Sequence, residues 1–327
     1  MSVLAGAPSA DAPMTFLRSF GAKADQVLPL TWGLTVISIL VVVIVSALLL
    51  RSLFASPAIG GLPNQKLPVE RPTGGLAWIY VGTAISAMVL FGSAVWTMVT
   101  LAAVGQPAGK PAFTVEVTGH QWWWQVRYLS GRPARIFTTA NEIHIPVGKP
   151  VEVRLTTADV IHSFWVPALT GKTDLIPGQT NLTWIEADKP GIYRGQCTEF
   201  CGEQHAHMGL TVVANKPQDF DAWWDAQLKA PAPAVAESAE QGEAVFVGRC
   251  GICHSVRGSS AGGKAGPDLS HLMTRRTIAA GTLPNTPGNL AGWIADPQHI
   301  KPGSHMPRTE VTPEQLQQIV AYLQTLN

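Results

Sequence analysis

Cys197-Thr198-Glu199-Phe200-Cys201-Gly202-Glu203-Gln204-His205-Ala206-His207-Met208 gathers two thiols, imidazole and a thioether within twelve residues. Soft sulfur donors beside imidazole favour copper. Alone, the two cysteines are ambiguous. In an oxidising compartment such a pair is often a disulfide, and with histidines it can hold zinc in a closed tetrahedral site. The fixed offsets of His205 and Met208 weigh toward copper. So does Asp159-Val-Ile-His162-Ser-Phe-Trp165-Val-Pro167 upstream, which sets another histidine at a strand edge.

The other two of the four cysteines stand in Cys250-Gly-Ile-Cys253-His254. This is the C-x-x-C-H pattern for covalent haem c, with two thioether bonds and an adjacent iron-ligating histidine. C-x-x-C also occurs in thioredoxin-like sites and zinc knuckles. The histidine that follows, the helical reading before it and the lack of a second C-x-x-C favour haem. No cysteine is left for a structural disulfide, and both motifs point to electron carriage.

The 327 residues suffice for two domains and an anchor, at roughly 100–200 residues per domain. A formal net charge of +1 offers no broad electrostatic case for nucleic acid. Only 14% of residues are charged, because two long runs lack charge. These are expected to span a membrane at about 28–50 and 76–103, each longer than the roughly 20 residues a bilayer core requires. Residues 1–27 lack the basic start and short apolar core of a cleaved secretory signal and are read as an outer segment. Arg51, Lys66 and Arg71 in the joining loop weakly favour a cytoplasmic loop. Haem attachment on the outer side of a bacterial inner membrane would put both soluble domains there.

From Pro111 onward, short β-type runs are broken by Gly, Pro and Asn. They include Phe113–Val117, Trp122–Tyr128, Glu142–Ile145, Val151–Thr156 and Leu182–Glu186, and they suggest an all-β sandwich or barrel over 111–228. A short helix over 220–228 closes it. Residues 229–238 read as an Ala/Pro tether, and 239–327 as an all-α domain. Thr312-Pro-Glu-Gln315 predicts a capped final helix, with Ile319, Tyr322, Leu323 and Leu326 on one face.

On these motifs the chain resembles subunit II of the haem–copper cytochrome c oxidases, from the hairpin anchor to about residue 228. The C-x-E-x-C-G-x-x-H-x-x-M string is very specific. The resemblance implies a cupredoxin-like domain holding binuclear copper A. Cys197 and Cys201 would bridge, His162 and His205 would be terminal ligands, Met208 a weak axial ligand, and Glu199 would supply its carbonyl. The Glu199 side chain would reach magnesium at the subunit I interface, and Lys172-Thr-Asp174-Leu-Ile-Pro-Gly178 matches a family stretch near the same interface. Trp122 in Gly119-His-Gln-Trp122-Trp-Trp would be the residue through which electrons enter, with Trp123 and Trp124 as packing. His120 and His144 are read as structural, and His207 as a non-ligand. Where the family usually carries a glutamate near a proton entrance, this chain has Gly75, and Glu70 is out of register.

Residues 239–327 resemble class I cytochromes c. Met306, before Pro307, would be the second haem ligand, with Met273 and His305 as weaker contenders. The carbonyl of Pro267, in Gly266-Pro-Asp-Leu269, would orient His254. Trp293 would pack near the haem, and Gly242, Phe246 and Tyr322 would form a helix crossing. The resemblance therefore implies the electron-input subunit of a terminal oxidase. Electrons would pass from external cytochrome c or another donor through haem c and copper to haem a in subunit I, for oxygen reduction coupled to proton pumping. Subunits I and III and membrane lipid would be partners. Fusion through a flexible tether would hold the donor at roughly millimolar local concentration. The alternative of another reaction class is the input subunit of a copper-A-containing nitric oxide reductase. A tethered copper-delivery protein would have no use for C-x-x-C-H, and quinol oxidase subunits usually lack these copper ligands.

Overall fold

Residues 14–54 and 75–327 are described by the computed structural model. Expectations for residues 1–13 and for Lys66, Glu70 and Arg71 lie outside the described residues. Helices α1 (Ala22–Phe54) and α2 (Gly75–Val104) are each long and apolar enough to cross a membrane. Their large apolar side chains are exposed all round rather than along one stripe, the pattern of a helix solvated by lipid. The two meet at Gly33, where any Cβ would strike the Trp96 indole, so a small residue permits close approach.

Ten strands follow: β1 (Thr114–His120), β2 (Trp123–Leu129), β3 (Phe137–Ala140), β4 (Glu142–Pro146), β5 (Val151–Thr157), β6 (His162–Trp165), β7 (Thr173–Leu175), β8 (Asn181–Ile185), β9 (Gly191–Cys197) and β10 (Gly209–Asn215). One sheet runs β3-β2-β1-β5-β8 and the other β4-β10-β9-β6-β7. Pairing is antiparallel except β1 with β5 and β10 with β4. Alternating residues such as Val115, Val117, Val126, Val153 and Leu155 turn inward and build one core with Ile143, Ile145 and Phe164. The fold is the expected β-sandwich.

Helix α3 (Pro217–Gln227) closes one end, opening on a proline whose missing N–H costs nothing at that position. Its Phe220 stacks on Phe113 at 5.3 Å, and Trp224 packs edge-on against Tyr128 and Phe137. His144 is structural, as expected: it stacks on Trp223 at 4.1 Å and bonds Glu142 and Asn215.

Beyond it come α4 (Glu237–Arg249), the small hairpin β11 (Thr277–Ile278) and β12 (Leu283–Pro284), α5 (Pro287–Ala295), α6 (Pro297–Ile300) and α7 (Pro313–Leu323). Thr312 Oγ1 accepts from Gln315 N–H while Gln315 Oε1 accepts from Thr312 N–H, each at 3.1 Å, completing the predicted cap. Helices α4 and α7 cross at Gly242, where a Cβ would collide with the Gln318 carbonyl. Phe246 and Tyr322 meet there at 5.4 Å. The Ala/Pro stretch is more anchored than a free tether. Arg257 Nη1 donates to Leu228 O at 2.9 Å, His271 Nε2 lies 3.1 Å from Lys229 O, and Ala234 packs on the helical core.

Candidate metal centre and haem crevice

The candidate donors come from two neighbouring strand ends and the loop that follows one of them. His162 opens β6, Cys197 ends β9, and register pairs Phe164 with Cys197. The loop from 198 to 208 is tied back by Thr198 N–H to Ser163 O at 3.1 Å and by Cys197 N–H to Met208 O at 3.0 Å. Gly119 on β1 leaves room for the imidazole: a Cβ there would lie 2.6 Å from His162 Cδ2.

The two sulfurs lie 3.8 Å apart, far beyond the roughly 2.05 Å of a disulfide. His162 Nδ1 is 3.9 Å from Cys197 Sγ, and His205 Nδ1 is 3.5 Å from Cys201 Sγ. Glu199 O lies 3.3 Å from the first sulfur and Met208 Sδ 3.8 Å from the second. Each thiol thus has one imidazole and one weak donor of its own. That layout suits two ions sharing the sulfurs better than one closed tetrahedron. His162, Cys197, Cys201 and Met208 are all buried.

The electrostatics agree. The hydrogen bond from Cys201, helped by His162, holds the Cys197 thiol well below its ordinary range, although burial opposes this. The same contact, together with burial, pushes Cys201 up. Two thiolates this close repel unless cations lie between them, so the donor set fits a metal centre. Asp159 accepts from the other side of the ring, its Oδ1 2.8 Å from His162 Nε2, leaving Nδ1 toward the sulfur. Burial would lower the His162 pKa, but the Asp159 bond raises it overall. The stretch from Asp159 to Pro167 carries no sequence signal for this role of Asp159, since the contact depends on the turn that folds it back onto His162.

Trp122 is 8% exposed. Its Nε1 donates to Cys201 O at 3.0 Å, and Gln121 Nε2 donates to the same oxygen at 2.8 Å. Trp123 stacks on His120 at 4.3 Å, and Trp124 is fully buried against Phe164, so both pack as expected. Glu199 points its carboxylate outward, 43% exposed and 3.7 Å from Lys172 Nζ.

Cys250, Cys253, His254 and Met306 line one crevice of about 350 Å³, with Trp293 and Pro267 also in its wall. His254 Nδ1 lies 2.8 Å from Pro267 O, so it donates there and leaves Nε2 as the lone-pair donor. Burial lowers the His254 pKa, keeping the ring neutral and able to ligate. A Cβ at Gly266 would lie 2.6 Å from His254 Cε1, so the glycine is what admits the ring. Arg275 also lines the crevice, donates to Asp268 O, and keeps a buried Nε without an acceptor. An anionic substituent on haem would satisfy it. The crevice therefore fits haem in polarity and donor placement. Met273 instead packs on the helical core, with its N–H on Leu326 O. His305 lines the crevice but turns its ring toward Trp122, at 5.8 Å.

Residues 129–215 match the family model described as "Cytochrome C oxidase subunit II, periplasmic domain", and residues 239–327 match that of cytochrome c. Cytochrome c oxidase subunit 2 of Alkalihalophilus pseudofirmus is 41% identical over 223 residues, 67% of this chain and 62% of the relative. The protein of the same name from Bacillus sp. PS3 is 33% identical over 229 residues, 66% and 63% respectively. The chain thus spans about three-fifths of the length of these curated relatives. The crystal structure of the periplasmic domain of cytochrome oxidase subunit II from Bradyrhizobium japonicum is 34% identical. That match covers 37% of this chain and 96% of that one, with a TM-score of 0.34. The polypeptide accordingly joins a domain of the cytochrome c oxidase subunit II periplasmic family to a domain of the cytochrome c family.

Proposed function

We propose that this chain is the electron-input subunit of a haem–copper terminal oxidase. One observation carries the reading: Trp122 bonds the metal loop through Cys201 while lining the crevice that holds Cys250, Cys253 and His254. Cys197, Cys201, His162, His205, Met208 and the Glu199 carbonyl would hold binuclear copper. Cys250, Cys253, His254 and Met306 would hold haem c. When bound, these groups supply one-electron carriage with little rearrangement.

The chain's own work is positioning. Asp159 and Pro267 fix the two imidazoles through their second nitrogens. Burial of both thiols and the thioether keeps water from the metal donors. The outer carboxylate of Glu199 would face magnesium at the interface with subunit I, with Lys172 displaced. α1 and α2 would anchor the subunit in a bacterial inner membrane, lipid around them, with both soluble modules on the periplasmic face. Subunits I and III would complete the complex. External cytochrome c or another carrier would supply electrons, which would leave for haem a and oxygen reduction coupled to proton pumping. The oxidase name carried by relatives at 41% and 33% identity supports this reading over a nitric oxide reductase.

The test is the composition of the intact complex with its co-purifying chains. Two coppers per chain, a spin signal spread over both, and one haem that survives denaturation are expected. A mononuclear signal, or zinc, would refute the ligand assignment.

A further inference from the structure

Lys301 follows α6 and is 3% exposed. Its Nζ lies 2.9 Å from Trp122 O, 2.9 Å from His207 O and 3.3 Å from Ala279 O. An ammonium has three donors, and here three carbonyls take them. Among the described residues no carboxylate pairs with it. Two acceptors belong to the β-sandwich, in the stretches that surround the metal donors, and the third to the helical module. A buried charge is retained only where such bonds replace water.

The surrounding contacts run between the same two modules. Gln204 Nε2 donates to Pro302 O at 2.7 Å, Gly209 N–H to Ala280 O at 2.9 Å, and Arg276 N–H to Glu142 Oε2 at 3.1 Å. Ala279 and Ala280 hold φ of 52° and 57°, a left-handed conformation that side chains disfavour. Both of their carbonyls serve the junction. Four residues past Lys301, the His305 ring approaches Trp122, and the next residue, Met306, lines the crevice with His254.

We propose that Lys301 is a positioning residue that locks the haem-crevice module onto the metal-loop module and seats the His305–Met306 segment against Trp122. The module is then a fixed donor rather than a tethered shuttle, and an external carrier delivers to it instead of to the covered Trp122. Loss of the ammonium leaves the Trp122 and His207 carbonyls without this donor, with Ala279 O held by Thr282 Oγ1 alone, and frees the loop.

The kinetic arm of the test rests on the electron-input reading; the exchange arm does not. In the intact, haem- and copper-loaded complex, hydrogen exchange at the Gly209 and Arg276 amides reports the seating. Lys301→Met should speed exchange at both at least tenfold while Val126 in β2 is unchanged, and Lys301→Arg should restore most of the protection. Transfer from photoreduced haem to copper should slow at least tenfold in Lys301→Met, with both absorption spectra intact. Protected amides in Lys301→Met, or an unchanged transfer rate, would overturn the lock. If Lys301→Met fails to assemble, the unmodified complex decides: slow exchange at both amides supports seating, and coil-like exchange ends it. Absence of any haem-to-copper transfer in the unmodified complex would instead defeat the electron-input reading.

Discussion

Trp122 Nε1 donates to the carbonyl of Cys201 across 3.0 Å. One indole therefore belongs to two sites, bonded to the loop that carries the Cys201 thiol and forming part of the crevice wall opposite. Its neighbours differ: Trp124 is sealed in the core and Trp123 lies flat on His120.

Trp122→Phe keeps an aromatic ring but loses the N–H. Haem-to-copper transfer should slow at least tenfold, while copper stays loaded because Gln121 still bonds Cys201 O. Stopped-flow or flash kinetics with a parallel copper assay measures both. An unaltered rate would reduce Trp122 to packing.

Asp159→Asn removes the charge behind His162. Outer partners of metal-bound histidines contribute about 10–100-fold in affinity, and a loss of that size is expected here. Competition titration against a chelator gives the number. Copper held as tightly as before would show that Asp159 does not tune the ring.

Gly266→Ala sets a methyl 2.6 Å from His254 Cε1. The imidazole must turn and lose Pro267 O. Haem should remain covalently attached, because the thioethers do not depend on ring orientation, but its midpoint potential should shift. A potential equal to wild type would count against the role given to Pro267.

Met306→Ala should abolish the sulfur-to-iron charge-transfer band, and Met273→Ala should preserve it. The reverse result would exchange the two assignments. The crevice wall includes the first residue, whereas the second packs on the helical core.

Gly242→Ala drives a Cβ into the Gln318 carbonyl where α4 and α7 cross. Overpacking of this kind costs about 1–3 kcal/mol. Denaturant unfolding of the loaded complex, followed at the haem band, should show a loss of that order. A variant as stable as its parent would mean that the helices can separate freely.

The candidate metal donors were legible because His205, Met208 and both thiols crowd one short stretch. The haem motif was legible for the same reason. Strand edges were less so. β2 begins at Trp123 rather than Trp122, because the Trp122 indole turns to Cys201 and its carbonyl to Lys301. β9 and β10 carry glycines and polar residues that blur the two-residue period, and the hairpin of β11 and β12 is only two residues a side. Lys301 gave no signal at all. Its acceptors are backbone carbonyls 179, 94 and 22 residues away, and any residue type could have supplied them.

His207, whose carbonyl receives Lys301, sits between the imidazole and the thioether of the metal loop. Whatever stiffens that loop also readies the berth for the helical module, and linkage makes the favour mutual. Cofactor insertion at one centre should therefore raise the melting temperature of the other's module, and calorimetry on copper-depleted and copper-replete material would read it. Maturation of the two centres becomes cooperative, with half-loaded subunits depleted relative to empty and fully loaded ones.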